Sequence, residues 1–197
     1  ITRGRYRGIR LKTVATLDVR GAAAFTSSVL AALCAAFGPY DIVHFHAEGP
    51  CAMMWLPRLT GKRCIATIHG LDWSRSKWNS GFGAMYIKLG ERCAVRFADE
   101  IIVLSDNVRQ YFLREYGRRT EMIPNGVSRP EKLPANEITA LYGLLGNDYI
   151  LFLGRIVPEK GVRLLLEAFG GVKTSKKLVI AGGASDTEEF VRELKQL

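Results

Sequence analysis

Residues 148–161 read DYILFLGRIVPEKG: an apolar run of strand length, a glycine, a turn carrying Arg155 and Lys160, and a second glycine ahead of an apolar-periodic segment. A buried strand that passes to a helix through glycines is the repeating unit of parallel α/β folds, whose ligands collect where strands end and helices begin. The helix N-terminus adds unpaired N–H groups and partial positive charge, so the turn reads as an anion site. Arg155 offers a planar fork and Lys160 a mobile point charge, with Gly154 letting backbone come close. The competing reading is an exposed turn with two stray basic residues. The next such turn, IAGGASDTEEF (residues 180–190), is also glycine-rich, and Gly182 and Gly183 allow backbone to approach the same ligand. Asp186 or Thr187 serves equally well as a helix cap.

Upstream, strand-length and helix-length segments alternate in the same way. Strands are expected at GIRLKTVATL (8–17), DIVHFH (41–46), RCIATIH (63–69), EIIVLS (100–105) and TEMIP (120–124). The intervening helices run through the Ala-rich 21–37, stopped by Gly38-Pro39, through 51–61 with a possible kink at Pro57, through 83–97 and through 106–116. At NGVSRPEKLPAN (125–136) periodicity gives way to a linker. The domains expected are therefore 1–127, a linker with a lead-in helix at 128–148, and a second unit at 149–197. That second unit holds two strands and two full helices, too few to bury both faces of a parallel sheet. The first unit enters without a Gly-rich first β-α turn, so both domains are expected to be incomplete.

The 197 residues are 48% apolar and 24% charged, the balance of a globular chain rather than a disordered one. No apolar run approaches the length of a membrane span, and the start, ITRGRYRGIRLK, lacks the apolar stretch of a signal peptide, which directs the expectation to the cytoplasm. Cys34, Cys51, Cys64 and Cys93 lie far apart with no CxxC pair, the pattern of packed, reduced thiols, and no metal site is expected. The net charge of +9 calls for an anionic partner. Arg3, Arg5, Arg7, Arg10 and Lys12 concentrate part of it at the start, as a binding arm or as solvated edge.

The series DIVHFH, TIHGLDW, ADEIIVLS, IPNGV, FLGRIVPEKG and LVIAGG, in this order and spacing, resembles the retaining glycosyltransferases of family 4. These have the GT-B architecture of two Rossmann-like parallel-sheet domains. The resemblance implies an acceptor-side first domain and a second domain that binds a nucleotide diphosphate sugar, UDP- or GDP-linked, in the cleft. Arg155 and Lys160 match the basic pair on the donor phosphates, where they stabilise the charge that develops as the nucleotide leaves. His69 matches a histidine facing the donor sugar, with Gly70 beside it. The family's later Glu-x7-Glu segment has no counterpart in these residues, so the chain alone is expected to be inactive. No cofactor or metal is implied, and a front-face route without a protein nucleophile is the mechanism usually discussed for the family.

Other candidates stand on residue chemistry. His44 and His46 alternate on one strand and share a face, an arrangement that can bind metal but lacks a third ligand. His46 is nearer the ligand edge and is a candidate for the acceptor. Glu48 lies just beyond it. In HGLDWSRSKWNSG, Trp73 and Trp78 interleave with Arg75 and Lys77; aromatic faces suit sugars and lipid, and cations suit phosphate. Trp73, Arg75 and Lys77 are therefore acceptor candidates for a glycan or lipid-linked diphosphate, or else belong to a packed loop. Ser105-Asp106 reads as a helix cap. The function expected is sugar transfer in bacterial surface polysaccharide synthesis, with peripheral contact to anionic membrane and no nucleic acid. The alternatives are an inactive nucleotide-sugar-binding or partner subunit and a nucleic-acid-binding module, and no signature of the latter is present.

Overall fold

The computed structural model describes residues 4–17, 19, 22–71, 73, 81–184 and 187–196. The chain divides into two compact units, Ile1–Val127 and Ser128–Leu197.

The first unit begins with a short hairpin of β1 (Arg5–Tyr6) and β2 (Ile9–Arg10). It continues through α1 (Ala22–Ala36), β3 (Ile42–His46), α2 (Glu48–Cys51), α3 (Trp55–Leu59), β4 (Arg63–Ile68), α4 (Phe82–Phe97), β5 (Glu100–Val103), α5 (Asp106–Tyr116) and β6 (Glu121–Met122). Strands β3 to β6 form one parallel sheet in chain order. Parallel neighbours need crossovers, which is why a helix separates each pair. The inner strand β4 buries Cys64, Ala66, Thr67 and Ile68, whereas β3 at the edge buries only Phe45. Around β4 the core gathers Phe45, Met54, Ile68, Ile101, Val103 and Phe112. Burying side chains of this size contributes about 1.5–3 kcal/mol each. Cys51 and Cys64 are fully buried, and all four cysteines are free thiols.

Two details depart from the sequence reading. The strand expected over 8–17 is confined to Ile9–Arg10, which folds back antiparallel on Arg5–Tyr6 through Arg7 and Gly8. Both turn residues have positive φ, 47° and 83°. That is the geometry of a two-residue turn whose twist matches a hairpin, and once the chain turns there Ile9 takes a local partner instead of joining the main sheet. The helix expected over 51–61 is broken upstream of Pro57, between Cys51 and Trp55. Pro57 falls in the first turn of α3, where its missing N–H costs no helical hydrogen bond.

Helix α4 lies against α2 at Gly90, where a Cβ would stand 1.9 Å from the Glu48 carbonyl oxygen. At the N-terminal end of β5, the Asp99 carboxylate accepts from the Cys64 N–H at 2.8 Å and from Arg58 at 3.0 Å. That polar clasp fastens the edge of the sheet opposite to the one where strands hand over to helices.

The second unit contains α6 (Asn136–Tyr142), β7 (Tyr149–Leu153), α7 (Val162–Gly170), β8 (Lys177–Ala181) and α8 (Glu188–Leu194). Gly143 closes α6 with φ of 62°, and β7 pairs β8 in parallel register. Val157 and Val162 are buried, but Leu151, Leu153 and Leu164 stay exposed, as a sheet of two strands dictates. No described helix is long and apolar enough to cross a membrane. The mixed architecture with parallel sheets is the Rossmann-like one the alternating segments predict.

Candidate functional site

In the first unit, His46 stands opposite Thr67 in the β3–β4 register, so His69, two residues on, falls on the same face of the sheet. Three imidazoles meet there. His44 and His46 lie with ring centroids 4.3 Å apart, and His46 Nδ1 is 3.2 Å from His69 Nε2. His44 Nε2 is 2.7 Å from Thr67 Oγ1. Burial, followed by the charges of His46 and His69, lowers the His44 pKa below its ordinary value. The shared face of His44 and His46 follows from strand alternation; their meeting with His69 does not, because it depends on which strand lies beside β3. Among the described residues no group of three or more His, Cys, Asp or Glu is arranged to hold a metal ion. Gly70 follows His69, half-buried. His44 and His46 also line a groove of about 330 Å³ with Ser28, Ala32, Phe45 and Pro50.

Trp73 is held by a residue that sequence reasoning passed over. Its indole N–H donates to Glu91 Oε2 at 3.0 Å, and Lys88 Nζ lies 5.1 Å from the ring centroid. Glu91 is 1% exposed and also accepts from the Tyr111 hydroxyl at 2.9 Å and from Tyr116. Burial, followed by the hydrogen bond to Glu91, pushes the Tyr116 hydroxyl up to about 12 and raises Tyr111 too. Trp73 is thus fastened to α4 and, through Glu91, to α5. Arg75 and Lys77, with Trp78, lie outside the described residues. Glu48 is fully buried at the start of α2. Ser105 occupies the N-cap position of α5 with extended backbone, but its hydroxyl makes no capping bond; Asp106 pairs with Arg109 at 2.5 Å.

In the second unit the two glycine-rich turns lock together. Gly154 N–H donates to the Ala181 carbonyl at 3.0 Å and Ile156 N–H to that of Gly183 at 3.0 Å. The Thr187 hydroxyl donates to the Ile156 carbonyl at 2.7 Å. A Cβ on Gly182 would stand 1.8 Å from the Gly154 carbonyl oxygen, so the turns approach as only glycine permits. Val157 anchors the first turn beneath the surface, while Arg155, Lys160 and Gly183 are exposed. A 3₁₀ turn, Pro158–Lys160, intervenes before Gly161 opens α7 with φ of 69°. Gly154, Arg155, Lys160, Gly182 and Gly183 are thereby gathered at the C-terminal ends of β7 and β8, the side of a parallel sheet where ligands bind. Asp186 lies outside the described residues.

A family model described as Glycosyltransferase Family 4 matches residues 4–129. An uncharacterized glycosyltransferase of Bacillus subtilis, YqgM, is 29% identical over 150 residues, covering 73% of this chain and 40% of that protein. An alpha-maltose-1-phosphate synthase of Mycolicibacterium smegmatis is 30% identical over 149 residues, 69% of this chain and 38% of its own length. A D-inositol 3-phosphate glycosyltransferase of Xylanimonas cellulosilytica is 28% identical over 193 residues, 88% of this chain and 46% of its own. The chain thus spans less than half the length of each of these relatives.

Proposed function

Because the chain belongs to Glycosyltransferase Family 4, we propose that it is the part of a retaining glycosyltransferase that grips the diphosphate of a UDP- or GDP-sugar and passes the sugar to a hydroxyl of a glycan or lipid-linked acceptor. The observation that carries this reading is the locked pair of turns. Gly182 closed against Gly154 leaves Arg155 and Lys160 exposed at the strand ends, an arrangement suited to a bulky anion.

In the transfer step the bond from sugar C1 to the diphosphate oxygen breaks and a bond from C1 to the acceptor oxygen forms on the same face. The acceptor proton leaves with the departing diphosphate. Arg155 and Lys160 stabilise the charge that gathers on that diphosphate, which requires no metal. His69, whose Nε2 lies 3.2 Å from His46 Nδ1, is assigned to the donor sugar. His46 and the Trp73 loop, with Arg75 and Lys77, are assigned to the acceptor side. The role is surface polysaccharide synthesis at the cytoplasmic face of a bacterial membrane.

Calorimetric titration of the chain with UDP- and GDP-sugars tests the reading, with Arg155→Ala and Lys160→Ala as controls. One donor binds, and each substitution weakens it about tenfold or more, the loss expected when a charge-assisted hydrogen bond is removed. Donor binding without transfer by the intact protein would point to an inactive nucleotide-sugar-binding subunit. Binding of RNA with no affinity for either donor would sink the proposal.

A further inference from the structure

We propose that the β1–β2 hairpin is a docking element for an anionic lipid surface, an inference that goes beyond glycosyl transfer and is tested without it. Its register sorts the side chains by chemistry. Arg5 stands opposite Arg10 and Tyr6 opposite Ile9. The Leu11 N–H extends the ladder by donating to the Gly4 carbonyl at 3.0 Å. By strand alternation, Arg5, Arg10 and Lys12 share one face and Tyr6, Ile9 and Leu11 the other.

Both faces are open. Tyr6 is 53% exposed, Ile9 65% and Leu11 47%, and the basic residues of the hairpin are exposed as well. Like charges directly across a ladder repel and destabilise it, so the Arg5–Arg10 pair is a cost unless anions surround it. At the tip, Arg7 takes a left-handed φ of 47°, a position that Asn or Gly fills with less strain. Its guanidinium lies 5.4 Å from the Tyr6 ring centroid, joining the cationic and aromatic faces. Residues 1–17 contain no Asp or Glu.

A solvated hairpin protecting a sheet edge calls for charge but not for three uncovered apolar side chains on the reverse. A nucleic acid would engage the basic face and leave the apolar one in water. A hairpin lying in the headgroup layer satisfies both faces at once. Tyr6, Ile9 and Leu11 enter the acyl boundary, and the long arginine stems reach phosphates at the level of the hairpin. The occupant that fits is therefore the surface of a bilayer rich in acidic phospholipid, which would also hold the chain next to lipid-linked substrates.

Flotation of the 197-residue chain with phosphatidylcholine vesicles, and with vesicles that also contain phosphatidylglycerol, tests this. Binding is expected only to the mixed vesicles and weakens with salt. Each arginine near the surface is worth about fivefold in partitioning, so Arg5→Glu with Arg10→Glu loses about 25-fold or more. Tyr6→Ser with Ile9→Ser also releases the chain, and both double variants keep the wild-type unfolding midpoint because the hairpin lies outside the core. Wild-type chain that ignores the mixed vesicles, or variants that bind as well as wild type, would overturn the proposal. So would loss on charge reversal alone, with the serine variant unaffected and polyuridylate bound, which would assign the face to nucleic acid.

Discussion

Trp73 and Glu91 are joined by a 3.0 Å hydrogen bond from indole N–H to carboxylate, and that carboxylate is also the acceptor for Tyr111 and Tyr116. A buried carboxylate met by three donors ties Trp73 to α4 and α5. Glu91→Ala leaves three half-buried donors without this acceptor and opens a cavity, a loss of about 3 kcal/mol in urea unfolding. Glu91→Gln keeps one acceptor oxygen and turns an N–H toward hydroxyls able to rotate and accept; it is expected to cost about 1 kcal/mol. Equal effects of the two substitutions would show that the carboxylate merely fills space.

The alternation of strands and helices was readable from apolar runs because β4, β5, β7 and β8 are short and bounded by turn residues. Glu91 escaped the same reading. On an amphipathic helix a glutamate looks like solvated surface, and its three donors come from 18, 20 and 25 residues away. The hairpin at 5–10 escaped for a local reason, since a two-residue turn is usually announced by Asn-Gly or Asp-Gly and here is Arg7-Gly8. At the site, the turns of the second unit were visible as glycines and basic residues beside a strand. The meeting of His46 with His69 was not, because pairing partners are decided by tertiary packing.

Gly90 interrupts α4 where Ala would be favoured by about 1 kcal/mol. The reason for it is the approach of α2, since a Cβ would stand 1.9 Å from the Glu48 carbonyl oxygen. Backbone cannot yield there as a flexible side chain could, so separating the helices costs more than the propensity gain returns. Gly90→Ala is expected to be destabilised by about 2 kcal/mol net. Gly117→Ala, strained by a φ of 62° but in open space, is expected to lose about 1 kcal/mol. A neutral or stabilised Gly90→Ala protein would mean that α2 gives way freely.

His44 has its pKa lowered from 6.5 by burial and by the neighbouring imidazoles. The folded state therefore binds its proton less readily than the unfolded chain does. Its contribution to stability is present above pH 6.5 and is lost as pH falls below that value through the folded-state pKa. The urea midpoint is expected to drop between about pH 7.5 and about pH 5 and to drop less in His44→Asn. A midpoint with the same pH dependence in both proteins would remove His44 from this account.

Gly182 and Gly183 make opposite predictions although they are adjacent. A methyl group on Gly182 would enter the Gly154 carbonyl at 1.8 Å, whereas none on Gly183 meets an atom within 4 Å. The strain at Gly182 cannot be relieved locally, because Gly154 and Ile156 donate across the two turns on either side of it. Gly182→Ala is therefore expected to destabilise the second unit by about 3 kcal/mol and to abolish donor binding by pushing the turn that carries Arg155 away from β8. Gly183→Ala is expected to unfold at the wild-type midpoint. Its donor affinity then reports directly on backbone approach: a loss there, with stability intact, means that the ligand lies against Gly183. Unchanged affinity would confine the phosphate grip to Arg155, Lys160 and the turn from Gly154.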